Sequence, residues 1–168
     1  LEKQFPYLPI VAEDLGIITP DVREIMSDYG FSGMKVLVFA FGDSLADNPY
    51  IPHNVPVNSI IYTGTHDTNT VLGWFQNEAG AEIKEKLELY LGHKPLTDKI
   101  HIDMMRLSMM SVATLSITPL QDVLGLGADS RMNTPSIGTG NWEWRLMNGQ
   151  ITEEISEMLK SMTKTYGR

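Results

Sequence analysis

The chain has 168 residues, 42% of them hydrophobic, with a net charge of -8 and no cysteine. That is length and apolar content enough to bury a sizeable core. The negative charge opposes the phosphate attraction on which sequence-independent nucleic-acid binding depends, and the longest apolar run falls far short of the roughly 20 residues that span a bilayer. Without cysteine there is neither a disulfide framework nor a thiolate metal site, so the expectation is a cytoplasmic protein that binds neither nucleic acid nor membrane. The chain opens on Leu1 with no signal-peptide pattern, which is read as the mark of a fragment.

In chain order, the apolar run Pro9 to Ala12 predicts a first strand ending at Glu13. Thr19-Pro20 has the chemistry of a helix cap and first helical residue. Val22, Ile25, Met26 and Tyr29 then recur at helical spacing, with Gly30 placed to end the helix in a left-handed conformation. Met34 to Phe41 is almost unbroken in its apolar and aromatic content, the pattern of a parallel strand covered on both faces. A loop rich in Asp, Asn, Pro and Gly follows from Gly42 to Asn58, and Ser59 to Thr65 predicts a third strand. Glu82 to Leu91 sets Ile83, Leu87, Tyr90 and Leu91 on one helical face before Gly92 stops it. The Met-rich stretch Ile102 to Val112 is expected to pack against its neighbours, Thr114 to Thr118 is a fourth strand, and Thr152 caps a last helix with Ile155, Met158, Leu159 and Met162 on its apolar stripe.

Strands alternating with helices imply a parallel α/β sheet with helical crossovers. An open doubly wound sheet and a segment of an eight-stranded barrel fit this pattern equally well. In a barrel, chemistry collects at the C-terminal ends of strands. Glu13 after the first strand, and His66 with Asp67 after the third, obey that rule. A carboxylic acid that gives and then takes a proton suits Glu13, with Asp14 competing for the role and an ordinary strand-end carboxylate as the plain alternative. Asp67 lies in the seven-residue polar run Thr63 to Asn69, which faces either water or a hydroxylated ligand. His53, His66, His93 and His101 lack the mutual spacing of a metal site. Asn141-Trp142-Glu143-Trp144-Arg145 reads first as core punctuation, with sugar stacking on tryptophan as the alternative.

Several segments together resemble glycoside hydrolase family 77, the amylomaltases. Pro9-Ile10-Val11-Ala12-Glu13-Asp14-Leu15-Gly16, with Ile18 to Val22, is similar to that family's acid/base strand. Gly33 to Leu37 with Phe39-Ala40-Phe41, and then Pro52-His53-Asn54, are similar to its next strand and loop. Tyr62 to Asp67 with Asn69-Thr70 and Leu72-Gly73-Trp74 matches the segment of its third essential carboxylate. Gln121 to Gly127, Arg131 to Pro135, Gly140-Asn141-Trp142 and Trp144-Arg145 complete the series. One departure is that the family usually has Gly after Pro135, where Ser136 stands here.

The resemblance implies a (β/α)8 barrel of which residues 1–168 are the C-terminal half, strands five to eight with the C-terminal helices. A whole barrel of this kind runs to roughly 250 residues. It implies transfer of alpha-1,4-glucan segments between maltooligosaccharides by a retaining double displacement, with no metal, nucleotide or other cofactor. Glu13 is then the acid/base and Asp67 the carboxylate that stabilises the oxocarbenium-like state. His66 holds the sugar in the same subsite, and Asp14, Phe39, His53, Asn54 and Asn133 line the groove. The family's nucleophilic aspartate sits in an Arg-Ile-Asp-His type motif that does not occur in the chain, so the missing N-terminal half of the enzyme is the expected partner and the chain alone is expected to be inactive. The rival readings are a non-catalytic carbohydrate-binding or folding half-barrel, and an unrelated doubly wound α/β hydrolase or binding protein. The lack of a G-x-S-x-G elbow or glycine-rich phosphate loop opposes the second.

Overall fold

The computed structural model describes residues 10–168. The start of the predicted first strand at Pro9 lies outside them. Four strands, β1 (Val11–Ala12), β2 (Ser32–Val36), β3 (Ser59–Tyr62) and β4 (Leu115–Ile117), form one sheet in chain order, every pair parallel. Parallel neighbours cannot be joined by a hairpin. Helix α1 (Pro20–Asp28) joins the first pair, and α2 (Val71–Asn77), α3 (Ala81–Leu91) and α4 (Ile100–Met110) join the last. The short α5 (Leu120–Val123) and the long α6 (Glu153–Tyr166) follow β4.

The helix punctuation acts as its residues dictate. Thr152 accepts the amide of Ile155 at the start of α6, and Gly92 ends α3 at φ 75°. After α1, Phe31 N–H reaches back to the Met26 carbonyl across Gly30 at φ 66°. The sequence pattern assigns no element between Asn69 and Glu82, where the structure has α2. Thr70 caps it through the Gly73 amide, and it buries Val71, Trp74 and Phe75, three apolar positions at helical spacing.

The run Met34 to Phe41 is corrected. Only its first part is strand. At Leu37 the chain turns into a 3-10 helix, Leu37–Phe39, yet Leu37, Val38, Ala40 and Phe41 remain buried. Continuous hydrophobicity reports burial and not backbone geometry, so a buried turn passes for strand. The connection onward to β3 holds no α-helix, only a 3-10 turn, Pro52–Asn54.

The main core gathers the end of β2, the turn after it, β3, and the inner faces of α2, α3 and α4, with Phe41, Ile61, Leu87 and Met104 fully buried. A second cluster forms where α6 lays Met162, Ile155, Met158 and Leu159 against Met105 of α4 and Val123 of α5. The stripe of α1 behaves otherwise. The helix buries no residue, and Val22, Ile25 and Tyr29 stand exposed. Leu115 and Ile117 are likewise exposed on β4 at the other edge of the sheet. Among the described residues both flanks therefore present apolar surface and, at β1 and β4, backbone that no other strand pairs.

Asp14 ties β1 to β2. Its carboxylate accepts the Met34 amide at 2.6 Å and the Lys35 ammonium at 3.0 Å, in a pair that is about nine-tenths buried on both sides. Gly33 makes the approach possible, since a Cβ there would come within 2.6 Å of that carboxylate.

Candidate active site

The C-terminal ends of all four strands open on one groove of about 980 Å³. Glu13 enters it from β1, Met34, Val38 and Phe39 from β2 and its turn, Tyr62 and Gly64 to Asn69 from β3, and Ile117 with Pro119 from β4. The alternation of side chains along an extended segment separates neighbours to opposite faces. It sends Glu13 to the groove, exposed, and its neighbour Asp14 into the β1–β2 brace.

Asp67 is held from several sides. Its Oδ1 accepts the Asn133 side-chain amide, its Oδ2 lies 3.2 Å from His66 Nε2, and its backbone carbonyl accepts Arg131 Nη2 at 2.6 Å. Asn133 also donates its backbone N–H to the His66 carbonyl at 3.0 Å. Arg131 reaches three elements at once. Besides Asp67 it donates from Nε to the Asn133 carbonyl at 2.8 Å and lies 3.7 Å from Glu78, which in turn accepts the Asn69 amide. Carboxylate, imidazole and guanidinium are thus joined while half of the Asp67 side chain remains open to the groove.

The polar run Thr63 to Asn69 has two duties. His66 and Asp67 face outward, but Thr63 and Asn69 are buried. Thr63 donates its hydroxyl to Asp122 at 2.6 Å, and Asp122 takes the amide of Val71 at 2.7 Å with its other oxygen. Burial pushes the Asp122 carboxyl above the usual carboxylate range, against the two hydrogen bonds that favour its charge. Thr68 closes the turn by bonding the amide and carbonyl of Thr65. Much of the run's polarity therefore holds the loop that carries His66 and Asp67.

The structure brings together Glu13, Phe39, His66 and Asp67 in the groove, with Asn133 bonded to Asp67. It does not bring Asp14, His53 or Asn54 there. His53 meets the Tyr90 hydroxyl at 3.1 Å, and Asn54 is spent on the carbonyls of Ala46 and Asn48. Asp14 and Asn54 border a separate cavity of about 280 Å³ beside the starts of β2 and β3. Sequence reasoning missed Arg131 and Glu78 as groove residues; the Arg131 to Pro135 segment marks the place, but no local pattern says what the guanidinium holds. No group of three His, Asp or Glu among the described residues is placed to hold a metal ion.

The core reading of the tryptophan segment is corrected. Trp142 is 52% exposed, and its ring lies 5.1 Å from that of His66. Its φ of 63° is one that bulky residues rarely adopt, at a cost of order 1–3 kcal/mol. The backbone is pinned on both sides, the Trp142 N–H to the Met132 carbonyl and the Trp142 carbonyl to Arg145. Ser136, where the resembling family has Gly, also lies in the left-handed region at φ 68°.

Carboxylates at the C-terminal ends of parallel strands, opening on one groove, are placed where α/β enzymes carry their active sites. The family model of glycoside hydrolase family 77, described as 4-alpha-glucanotransferase, matches residues 1–152, and the chain belongs to that family. It is 49% identical over 162 residues to a 4-alpha-glucanotransferase of Synechocystis and 41% identical over 174 residues to one of Thermus thermophilus. These alignments take in 96% and 100% of the chain, but 32% and 34% of those proteins. The chain thus spans about a third of the length of the curated relatives it matches. The amylomaltase of Streptococcus agalactiae, solved in complex with acarbose, superposes with a TM-score of 0.93 at 38% identity over 99% of the chain and 33% of its own. Among the described residues no helix is long and apolar enough to cross a membrane.

Proposed function

We propose that residues 1–168 are one unit, the C-terminal half, strands five to eight, of the (β/α)8 barrel of a cytoplasmic 4-alpha-glucanotransferase. The observation that carries this reading is the sheet: four parallel strands in chain order, every C-terminal end opening on one groove, and apolar surface at both flanks that none of the described residues covers. An eight-stranded barrel consists of such strands in order, and its other half would cover those flanks.

In this reading the rest of the protein supplies a nucleophilic carboxylate. Retaining chemistry needs it about 5–5.5 Å from the acid, on the other face of the scissile bond. Glu13 protonates the leaving glycosidic oxygen as the glycosyl–enzyme bond forms, then removes the proton from the 4-hydroxyl of an acceptor glucan. Asp67 does not transfer protons. Fixed by Asn133, His66 and Arg131, it lays negative charge beside the positive ring of the transition state and accepts sugar hydroxyls, and a preset anion of this kind needs no reorganisation as charge develops. His66 holds the same sugar, Phe39 offers it an apolar wall, and Asn133 acts both on Asp67 and on the sugar. Asp14, His53 and Asn54 act on the groove through the brace and loops that shape it. Glucan is the substrate, and no cofactor enters any step.

The test is to incubate the whole protein, and separately the isolated chain, with maltotriose. The whole protein is expected to form glucose and longer maltooligosaccharides, and the chain alone to form neither. A whole protein that leaves maltotriose untouched would sink the reading; turnover by the isolated chain would sink the division of the site between two halves.

A further inference from the structure

We propose that Trp142 is the platform of a further glucosyl subsite, one unit beyond the sugar held by His66 and Asp67, and that it sets a preference for longer glucans. This rests on the glucan-transfer reading and extends it along the chain of the substrate.

The indole is where a core residue would not be. It is half exposed, and one side of it leans on the His66 ring at a tilt of 39°, which leaves other ring surface open. A cavity of about 220 Å³ borders it, and Thr65, His66, Thr68 and Arg131 line both that cavity and the main groove, so the two lie side by side. The occupant follows from the indole's neighbour. A polymer with one unit held at His66 has its next unit within reach of the ring that leans on His66, and the apolar C–H face of a hexose is the part of it that an aromatic ring complements.

The backbone supports a functional reading. Trp142 adopts a left-handed conformation that glycine would take without strain, and its N–H and carbonyl are both bonded to other residues of the loop. Asn141 further braces that loop on the Thr134 amide and the Ile137 carbonyl. Loop shape is therefore maintained by groups other than the indole, and the fold has no need of a tryptophan here.

The same geometry supplies a clean variant. Trp142→Gly removes the platform and relaxes the backbone, so the whole protein should melt no lower than its reference. Binding is read by calorimetry in a Glu13→Gln background, with glucose through maltoheptaose. The expected result is that Trp142→Gly weakens maltose and the longer oligosaccharides by about tenfold and leaves glucose unchanged, while Trp142→Phe keeps most of the affinity. Equal weakening at every length would overturn the proposal, because it would mean that the indole only props His66. Undiminished binding at every length would overturn it too. If Trp142→Gly failed to fold, Trp142→Ser would be read in the same way. A Glu13→Gln protein with Trp142 intact that bound no oligosaccharide would defeat the glucan reading itself, whereas normal binding with an unaltered length dependence would defeat only the subsite.

Discussion

Arg131 donates from Nη2 to the backbone carbonyl of Asp67 at 2.6 Å, across 64 positions of sequence. The bond fixes the loop after β3 to the segment after α5, and the same guanidinium reaches Asn133 and Glu78. Lysine keeps the charge but not the planar fork. Arg131→Lys in the whole protein should therefore lower kcat/KM for maltotriose by at least about tenfold, a loss in keeping with charged hydrogen bonds, while the melting temperature changes little. Unimpaired turnover would show that Asn133 and His66 hold Asp67 without it.

The two groove carboxylates should respond differently to neutral replacement. Glu13→Gln keeps the shape and removes the proton, so transfer should slow by at least about a hundredfold. A glucosyl fluoride, whose leaving group needs no protonation, should restore the first step, and azide should stand in for the acceptor in the second. Asp67→Asn removes charge from beside the transition state, and neither reagent should rescue it. Rescue of Asp67→Asn by azide, with Glu13→Gln left inert, would exchange the two roles.

Asp122 predicts how stability depends on pH. Its folded pKa is raised, chiefly by burial, so between the unfolded value of about 3.9 and the raised folded value the native state holds more protons than the unfolded one. Its contribution is complete below about pH 3.9 and is lost as pH rises through the folded pKa. Asn in its place can accept from Val71 and donate to the Thr63 hydroxyl without titrating. In urea unfolding of the whole protein across pH, Asp122→Asn should remove this decline. A decline of unchanged size in the variant would assign it to another group.

Ser136 occupies a left-handed position at φ 68°. Relief of that conformation outweighs the extra freedom glycine gives the unfolded chain, so Ser136→Gly should stabilise the whole protein by about 0.5–1 kcal/mol, and Ser136→Val should destabilise it. The urea midpoint measures both. A midpoint lowered by glycine would mean that the loop does not hold this shape in solution.

Features that rest on neighbours along the chain were legible in the order of residues. Gly92 and Thr152 marked helix ends because caps act within a turn, Pro20 marked the start of α1 although the Thr19 side chain makes no capping bond, and the apolar spacings of α3 and α6 marked buried faces because period is local. Glu13 and Asp67 stood out as strand-end carboxylates for the same reason. Features that rest on distant partners were not. Glu13 and Asp14 are adjacent acids with equal claims, and only the presence of Lys35 and the Met34 amide on β2 commits one of them to the brace. Val36 to Phe41 is equally apolar in its strand and its turn, so hydrophobicity could not show where the backbone bends. Trp142 could be buried or exposed until the loop that carries it was placed beside His66. In each case the deciding partner lies many residues away, and a side chain's chemistry does not specify which distant group it will meet.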